Sequence, residues 1–279
     1  MASPILKWAG GKRQLLEHLA SRVPSKMRRY VEPFAGGAAL YLAIADTADG
    51  PMRRHFDEAC LADVNEDLMI TYREVARDVD AVIAALKSYT HSEEVYYATR
   101  ARDVSTLTDT ERAARMIFLN KTCFNGLWRV NSKGLFNVPF GRYANPAICD
   151  ESTLREATPI FARARLENRD FHEVCADLGP GDFVYFDPPY APVSETADFT
   201  KYAKEGFGHG DQERLAHTFR ALAERGVLCM LSNADTPLTR ALYSDFAIDV
   251  VQARRSVNSN ATRRGAVAEL IVTSWAPRA

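Results

Sequence analysis

Phe183-Val184-Tyr185-Phe186-Asp187-Pro188-Pro189-Tyr190 is a run of four apolar residues closed by an acid, two prolines and an aromatic. A continuous apolar run this short, bounded by proline, reads as a strand buried on both faces of a parallel sheet, and so places the chain among α/β folds. In such sheets ligands bind outside the carboxyl ends of the strands. Pro188 and Pro189 have no main-chain donor and a fixed φ. Asp187 and the Pro188 carbonyl therefore present acceptors on one side, and Tyr190 adds a flat face. Two acceptors beside a stacking ring suit a planar heterocycle carrying an exocyclic amino group. Asp and Pro are also ordinary turn residues, so the motif needs company.

Upstream, Tyr30-Val31-Glu32-Pro33-Phe34-Ala35-Gly36-Gly37-Ala38-Ala39-Leu40 reads as a strand, a glycine turn and a helix through Leu40, Tyr41, Leu42 and Ile44. Glycine after a strand lets the backbone approach a ligand closely. Asp63 lies about where a ribose-binding acid stands in nucleotide-binding folds. Lys7-Trp8-Ala9-Gly10-Gly11-Lys12 is not a phosphate loop, because the earlier glycine is missing and Arg13 stands where Ser or Thr is required.

The 279 residues are 47% hydrophobic and 25% charged, the balance of an ordinary globular protein. No apolar run is long enough to span a bilayer. The five cysteines contain no Cys-x-x-Cys and the six histidines no ligand spacing, so neither a disulfide framework nor a metal site is expected, and a cytoplasmic location follows as the default. Net charge is −1, yet the basic residues are segregated. Asn120 to Cys149 holds Lys121, Arg129, Lys133 and Arg142 with no acid. Between Asp249 and Glu269 stand Arg254, Arg255, Arg263 and Arg264, again with no acid. The first sixteen residues add Lys7, Lys12 and Arg13. Acid-free basic segments of this kind suit phosphate, although a charge run is also commonly a solvated face.

The pattern divides the chain. Residues 1–65 and 152–279 carry α/β signals, with strands at 30–34, near Leu61-Ala62, at 183–186, at Val227–Leu231, and an antiparallel pair Ala247–Ala253 and Val267–Trp275. Thr236 or Asp235 should cap a helix beginning at Pro237. Residues 66–151 read as an insertion. Leu68, Ile70, Tyr72, Val75, Val79, Val82, Ile83 and Leu86 recur at helical spacing, as do Ala113, Met116, Ile117 and Leu119. A hairpin follows, Leu127–Val130 and Leu135–Val138 around Asn131-Ser132-Lys133-Gly134.

With these parts in order, the chain resembles the Dam-type DNA adenine-N6 methyltransferases. The resemblance rests on Leu6-Lys7-Trp8-Ala9-Gly10-Gly11-Lys12, Glu32-Pro33-Phe34-Ala35-Gly36-Gly37, Asn125-Gly126-Leu127-x-Arg129, Phe136-Asn137-Val138-Pro139-Phe140-Gly141-Arg142-Tyr143 and Asp187-Pro188-Pro189-Tyr190-Ala191-Pro192. It implies a Rossmann-like methyltransferase sheet, mainly parallel with an antiparallel C-terminal strand, and an inserted helical and β-hairpin recognition domain. It implies S-adenosylmethionine as methyl donor, held by Trp8, Lys12, Phe34, Ala35, Gly36, Asp63, Asp170, Phe171 and Asp187. Catalysis would fall to Asp187, Pro188, Pro189 and Tyr190. Double-stranded DNA, bound by a monomer or weak dimer, would meet Lys7, Phe124, Asn125, Leu127, Arg129, Asn137, Pro139, Arg142, Arg255, Ser256, Asn258 and Asn260. Within that set Phe124 matches a wedge, Asn125 a residue facing the orphaned base, and Arg129 a guanine reader. Ala38 stands where the family commonly has glycine, a change expected to cost little. Methylation of RNA or a protein amide, or a catalytically dead DNA-binding regulator, are competing readings. The first has no use for the Phe124–Arg142 segment, and the second sits badly with intact Asp187, Tyr190, Asp63 and Lys12.

Overall fold

The computed structural model describes residues 2–8, 15–45, 52–191, 207–254 and 266–275. The chain forms two compact units: Met1–Gly11, Gly36–Arg53 and Asp63–Asn168 in the first, Lys12–Ala35, Arg54–Ala62 and Arg169–Ala279 in the second.

The second unit carries the sheet. Its strands are β1 (Lys26–Glu32), β2 (His55–Ala62), β4 (Phe183–Phe186), β5 (Leu228–Ala234), β6 (Ala247–Arg254) and β7 (Ala266–Thr273). They are hydrogen-bonded in the order β2-β1-β4-β5-β7-β6. The first four run parallel, and β7 is antiparallel to both β5 and β6. This is the mainly parallel α/β sheet with an antiparallel C-terminal pair that the sequence predicts. The chain leaves β1 for β2 on one side and meets β4 on the other, so the order reverses between β1 and β4. A crevice at a parallel sheet's carboxyl edge opens at such a point. Val31, Cys60, Val184, Phe186, Cys229, Leu231 and Val272 face a core completed by Phe171, Leu215, Phe219 and Leu222, all at most 2% exposed. Fully burying side chains of this size contributes about 1.5–3 kcal/mol each. Leu215, Phe219 and Leu222 come from the helix His209–Glu224, and Phe171 opens the short helix Phe171–Val174.

Two strands are longer than the apolar pattern foretold. β2 begins at His55, because its first half (His55, Asp57, Glu58) is exposed and polar and only Ala59–Ala62 is buried. β5 runs on through Ser232, Asn233 and Ala234, which are buried although two are polar.

The first unit is mainly helical. Asn65 caps Glu66–Arg77 by accepting from the Leu68 amide, and Asp78 then breaks the periodic stretch and caps Val79–Lys87. Asp109–Thr122 opens with a reciprocal capping box between Thr108 and Glu111 and buries Ala113, Met116, Ile117 and Leu119. β3 (Ala164–Glu167) lies in this unit too. Residues 66–151, expected as an insertion, fall wholly inside it. The expected hairpin is sparser than two strands: single bridges join Val130 to Phe136 and Cys123 to Phe140. Its turn is nonetheless closed, with Gly134 N donating to Asn131 O at 2.9 Å and Gly134 supplying φ +75°.

Candidate functional site

At the carboxyl edge of the second unit, Asp187 follows β4 directly and is half-buried. Ser232 Oγ on β5 donates to Asp187 Oδ1 at 2.9 Å, and the Tyr185 hydroxyl lies 2.8 Å from the same Ser232 oxygen. The register explains the meeting. Phe186 pairs with Leu231, so the next residue of each strand reaches the edge together. Pro188 is buried, and its carbonyl takes no hydrogen bond among the described residues. The Pro189 carbonyl is fixed instead, by Gln212 Nε2 at 2.8 Å from the helix His209–Glu224. Gln212 Oε1 in turn accepts from Asn233, whose Oδ1 receives the Ala191 amide at 3.1 Å. The strand-end tetrapeptide is thus stapled on both sides.

Tyr190 donates its hydroxyl to Glu269 of β7. Burial first, then the nearby Asp187 and Glu269 carboxylates, push its phenol far above the usual range, so the ring stays neutral and its hydroxyl remains a donor. Tyr185 is raised for the same reasons, burial leading.

Elsewhere in this unit Phe34 stacks on Phe171 with centroids 5.3 Å apart, and Ala35 is buried. Arg214 lies over the other partner of that stack, 4.2 Å from the Phe171 ring. Arg214 also grips Asp170 with two hydrogen bonds of 2.8 and 2.9 Å, which hold that carboxyl below its ordinary pKa. Asp170 caps the helix Phe171–Val174 through the His172 amide. Four of the expected cofactor residues are therefore packed or ion-paired as a group.

The first unit holds the other group. Asp63 accepts from the Gly36 amide at 3.1 Å and from the Asn65 amide at 2.9 Å. Burial pushes its pKa up, with the amides of Asn65, Gly36 and Val64 pulling the other way. Gly36 has φ +44°, takes a hydrogen bond from the Tyr72 hydroxyl on its carbonyl, and lies against Trp8. A Cβ there would come within 2.7 Å of the indole, so no other residue fits. Ala38 has φ +51° and is buried. The expectation that alanine costs little here is corrected: the left-handed region disfavours a residue with a Cβ by about 1–2 kcal/mol.

The segment expected to meet DNA is also in the first unit. Phe124 is 46% exposed, and Asn125 (φ +56°) and Gly126 (φ +63°) form two successive left-handed residues that turn Phe124 and Asn125 outward. Leu127 is half-buried, whereas Arg129, Pro139 and Arg142 are exposed. Arg129 Nε donates to Asn137 Oδ1 at 2.7 Å, which brings two of the expected residues together. The Pro139 carbonyl accepts from the Phe124 amide at 2.9 Å. Lys7 packs its stem on Gly126 and places its ammonium 4.1 Å from the Tyr143 ring centroid. Lys12, Arg255, Ser256, Asn258 and Asn260 lie outside the described residues.

Ser232, Asn233, Gln212 and Glu269 escaped the sequence reading. Ser232-Asn233 carried a signal of the same kind as Asp187, since polar residues that end a buried apolar strand stand at the ligand edge. Glu269 served only to bound an acid-free stretch, and nothing in the sequence joins it to Tyr190.

Residues 8–257 match the family described as D12 class N6 adenine-specific DNA methyltransferase. The chain is 39% identical to the type II methyltransferase M1.LlaDCHI of Lactococcus lactis subsp. cremoris, over 98% of this chain and 95% of that protein. It is 38% identical to the type II methyltransferase M.MjaIII of Methanocaldococcus jannaschii, over 98% and 99%. It is 36% identical to the DNA adenine methylase of Escherichia coli K12, over 95% and 93%.

Proposed function

We propose that this chain, which belongs to the D12 class N6 adenine-specific DNA methyltransferases, methylates a flipped adenine in a short palindromic duplex site beginning with G, with GATC the leading candidate. The supporting observation is the set at the carboxyl edge of β4 and β5: an Asp187 carboxylate fixed by Ser232, the Pro188 carbonyl, and a neutral Tyr190 ring held by Glu269. A base inside a duplex cannot reach such a set, so it must rotate out of the stack. Phe124, exposed on its left-handed turn, fills the role of wedge, and Asn125 that of partner to the orphaned base. Residues 66–151 serve as the recognition region. Arg129, with Nε committed to Asn137, turns its terminal nitrogens to a guanine edge. Lys7, Leu127, Asn137, Pro139 and Arg142 line the backbone and neighbouring bases, with Arg255, Ser256, Asn258 and Asn260 proposed as further contacts. The chain acts as a monomer or weak dimer on DNA.

The residues present fit S-adenosylmethionine. The Asp63 carboxyl spends part of its acceptor capacity on neighbouring main-chain amides, those of Gly36 and Asn65 foremost, and offers the rest to vicinal ribose hydroxyls. Gly36, bare of a side chain beside Trp8, allows close approach. Trp8, Lys12, Gly36 and Asp63, and Phe34, Ala35, Asp170, Phe171 and Asp187, are the residues proposed to hold it. When bound, it supplies an electrophilic methyl on a sulfonium. Asp187 and the Pro188 carbonyl accept hydrogen bonds from N6 and favour the pyramidal nitrogen that its lone pair needs. Tyr190 stacks on the base and aligns it, and Pro189, tied to Gln212, keeps the loop in place.

Asp187→Asn tests the assignment. Single-turnover methyl transfer should fall roughly 10²-fold or more, the scale of one lost transition-state hydrogen bond, with DNA binding retained. A near wild-type rate would remove Asp187 from the mechanism. Single-molecule modification sequencing of DNA methylated by the enzyme reports base, strand and site together. Modification anywhere but adenine in a G-initial palindrome would refute the site reading.

A further inference from the structure

The hydroxyls beside Asp187 form an ordered chain. A carboxylate can only accept, so Ser232 must donate to Oδ1 at 2.9 Å. A serine has one proton. With it committed, the 2.8 Å contact to Tyr185 must be a donation from the phenol to the serine oxygen. Tyr185 is 1% exposed and its phenol, raised well above the usual range by burial, never ionises at working pH, so the direction is fixed. Ser232 is fully buried on a central strand and cannot swing to solvent.

We infer that Ser232, itself held by Tyr185, is a positioning residue that locks the Asp187 carboxylate in the orientation from which it accepts the adenine amino group. The inference rests on Asp187 being that acceptor. It also gives the reason that an amide is expected to fail at this position. Ser232 would still claim the Oδ1 of an asparagine, and the NH₂ would then be turned away from the serine and toward another NH₂, that of the base. Two donors would face each other. Glu269 does for the ring of Tyr190 what Ser232 does for Asp187, from the opposite neighbour of the same edge.

The relation gives an outcome that a purely structural role cannot. Ser232→Ala should lower kcat roughly 10- to 100-fold, the usual scale for losing a group that orients a catalytic side chain, with KM for S-adenosylmethionine and DNA affinity changed less than about threefold. Ser232→Thr, which keeps the hydroxyl, should restore most of that loss, and Tyr185→Phe should fall between. In the double variant Asp187→Asn with Ser232→Ala, the asparagine is released to turn its oxygen toward the base. The pair should therefore be no slower than Asp187→Asn alone, far from the product of the two single losses.

Single-turnover transfer of tritiated methyl to unmethylated genomic DNA measures the five variants against wild type, with calorimetric cofactor binding confirming that each is folded. Ser232→Ala and Tyr185→Phe at wild-type rate, with Asp187→Asn inactive, overturn the positioning role alone. Multiplying losses in the double variant overturn it as well. An active Asp187→Asn overturns the acceptor assignment beneath it.

Discussion

Asn120 clasps the main chain of Lys7 from both sides: its Oδ1 accepts the Lys7 amide at 2.8 Å and its Nδ2 donates to the Lys7 carbonyl at 2.7 Å. The same Nδ2 lies 3.3 Å from the Gly126 carbonyl. One fully buried side chain thus joins the N-terminal segment to the outward turn at Phe124–Gly126, and Trp8 beside Gly36 is the next residue along. Asn120→Ala strands three main-chain groups. It should destabilise the protein by about 1–3 kcal/mol per group left without a partner and raise KM for the methyl donor. Lys7→Ala, whose main chain stays clasped, should lose less stability. Urea unfolding of both variants checks the ranking, and equal losses would show that the lysine stem rather than the clasp carries the energy.

Ala38→Gly should stabilise the fold by about 0.5–1 kcal/mol, because relief of the left-handed φ of +51° exceeds the added entropy of the unfolded glycine. Thermal unfolding gives the answer. A lower midpoint would mean that packing of the buried methyl group outweighs its backbone strain.

Asp63 carries a signature in pH. Burial raises its pKa in the folded state above the unfolded value, so the folded protein favours the protonated acid. Its contribution is fully present below the ordinary aspartate range near pH 4 and fades as pH rises through the raised folded value. The stability of wild type relative to Asp63→Asn should therefore be greatest in acid and shrink toward neutrality. Denaturant midpoints of both proteins across pH 4–8 test this. A difference that is flat or grows with pH would show that the amides of Asn65 and Gly36 dominate over burial.

Arg129→Ala should relax discrimination at one base pair by about 1–3 kcal/mol. Asn137→Ala frees Arg129 Nε and should weaken the same discrimination partially, at the same position. Arg142→Ala, if it contacts phosphate, should lower binding to every sequence alike and flatten the salt dependence. Methylation rates on duplexes varied one base pair at a time separate these outcomes. A uniform fall for Arg129→Ala would make it a phosphate contact.

The strand at Phe183–Phe186, the glycine turn and the antiparallel C-terminal pair were legible because each has a local signature: an apolar run closed by proline, glycines directly after a strand, two apolar stretches joined by one basic loop. Thr236 as a helix cap was legible for the same reason. What escaped depended on pairing. The polar half of β2 is a strand only because β1 supplies its hydrogen bonds. Ser232 faces Asp187 only because β4 and β5 are parallel and in register, and Glu269 reaches Tyr190 across 79 positions of sequence. Such contacts belong to the sheet, and no window of residues contains them.

The order β5-β7-β6 sets a sequence of assembly. β6 is synthesised before β7 but pairs only with it, so β6 has no seat on the sheet until β7 has inserted beside β5. Until then β5 carries a bare edge and Tyr190 lacks Glu269. The strand that seals the sheet is also the one that brings Glu269 to Tyr190, so a chain without β7 in place has the Asp187–Tyr190 strand end without this hold on the Tyr190 hydroxyl. On the proposed reading of this edge, competence to hold a base arrives with the closing of the sheet, not before it.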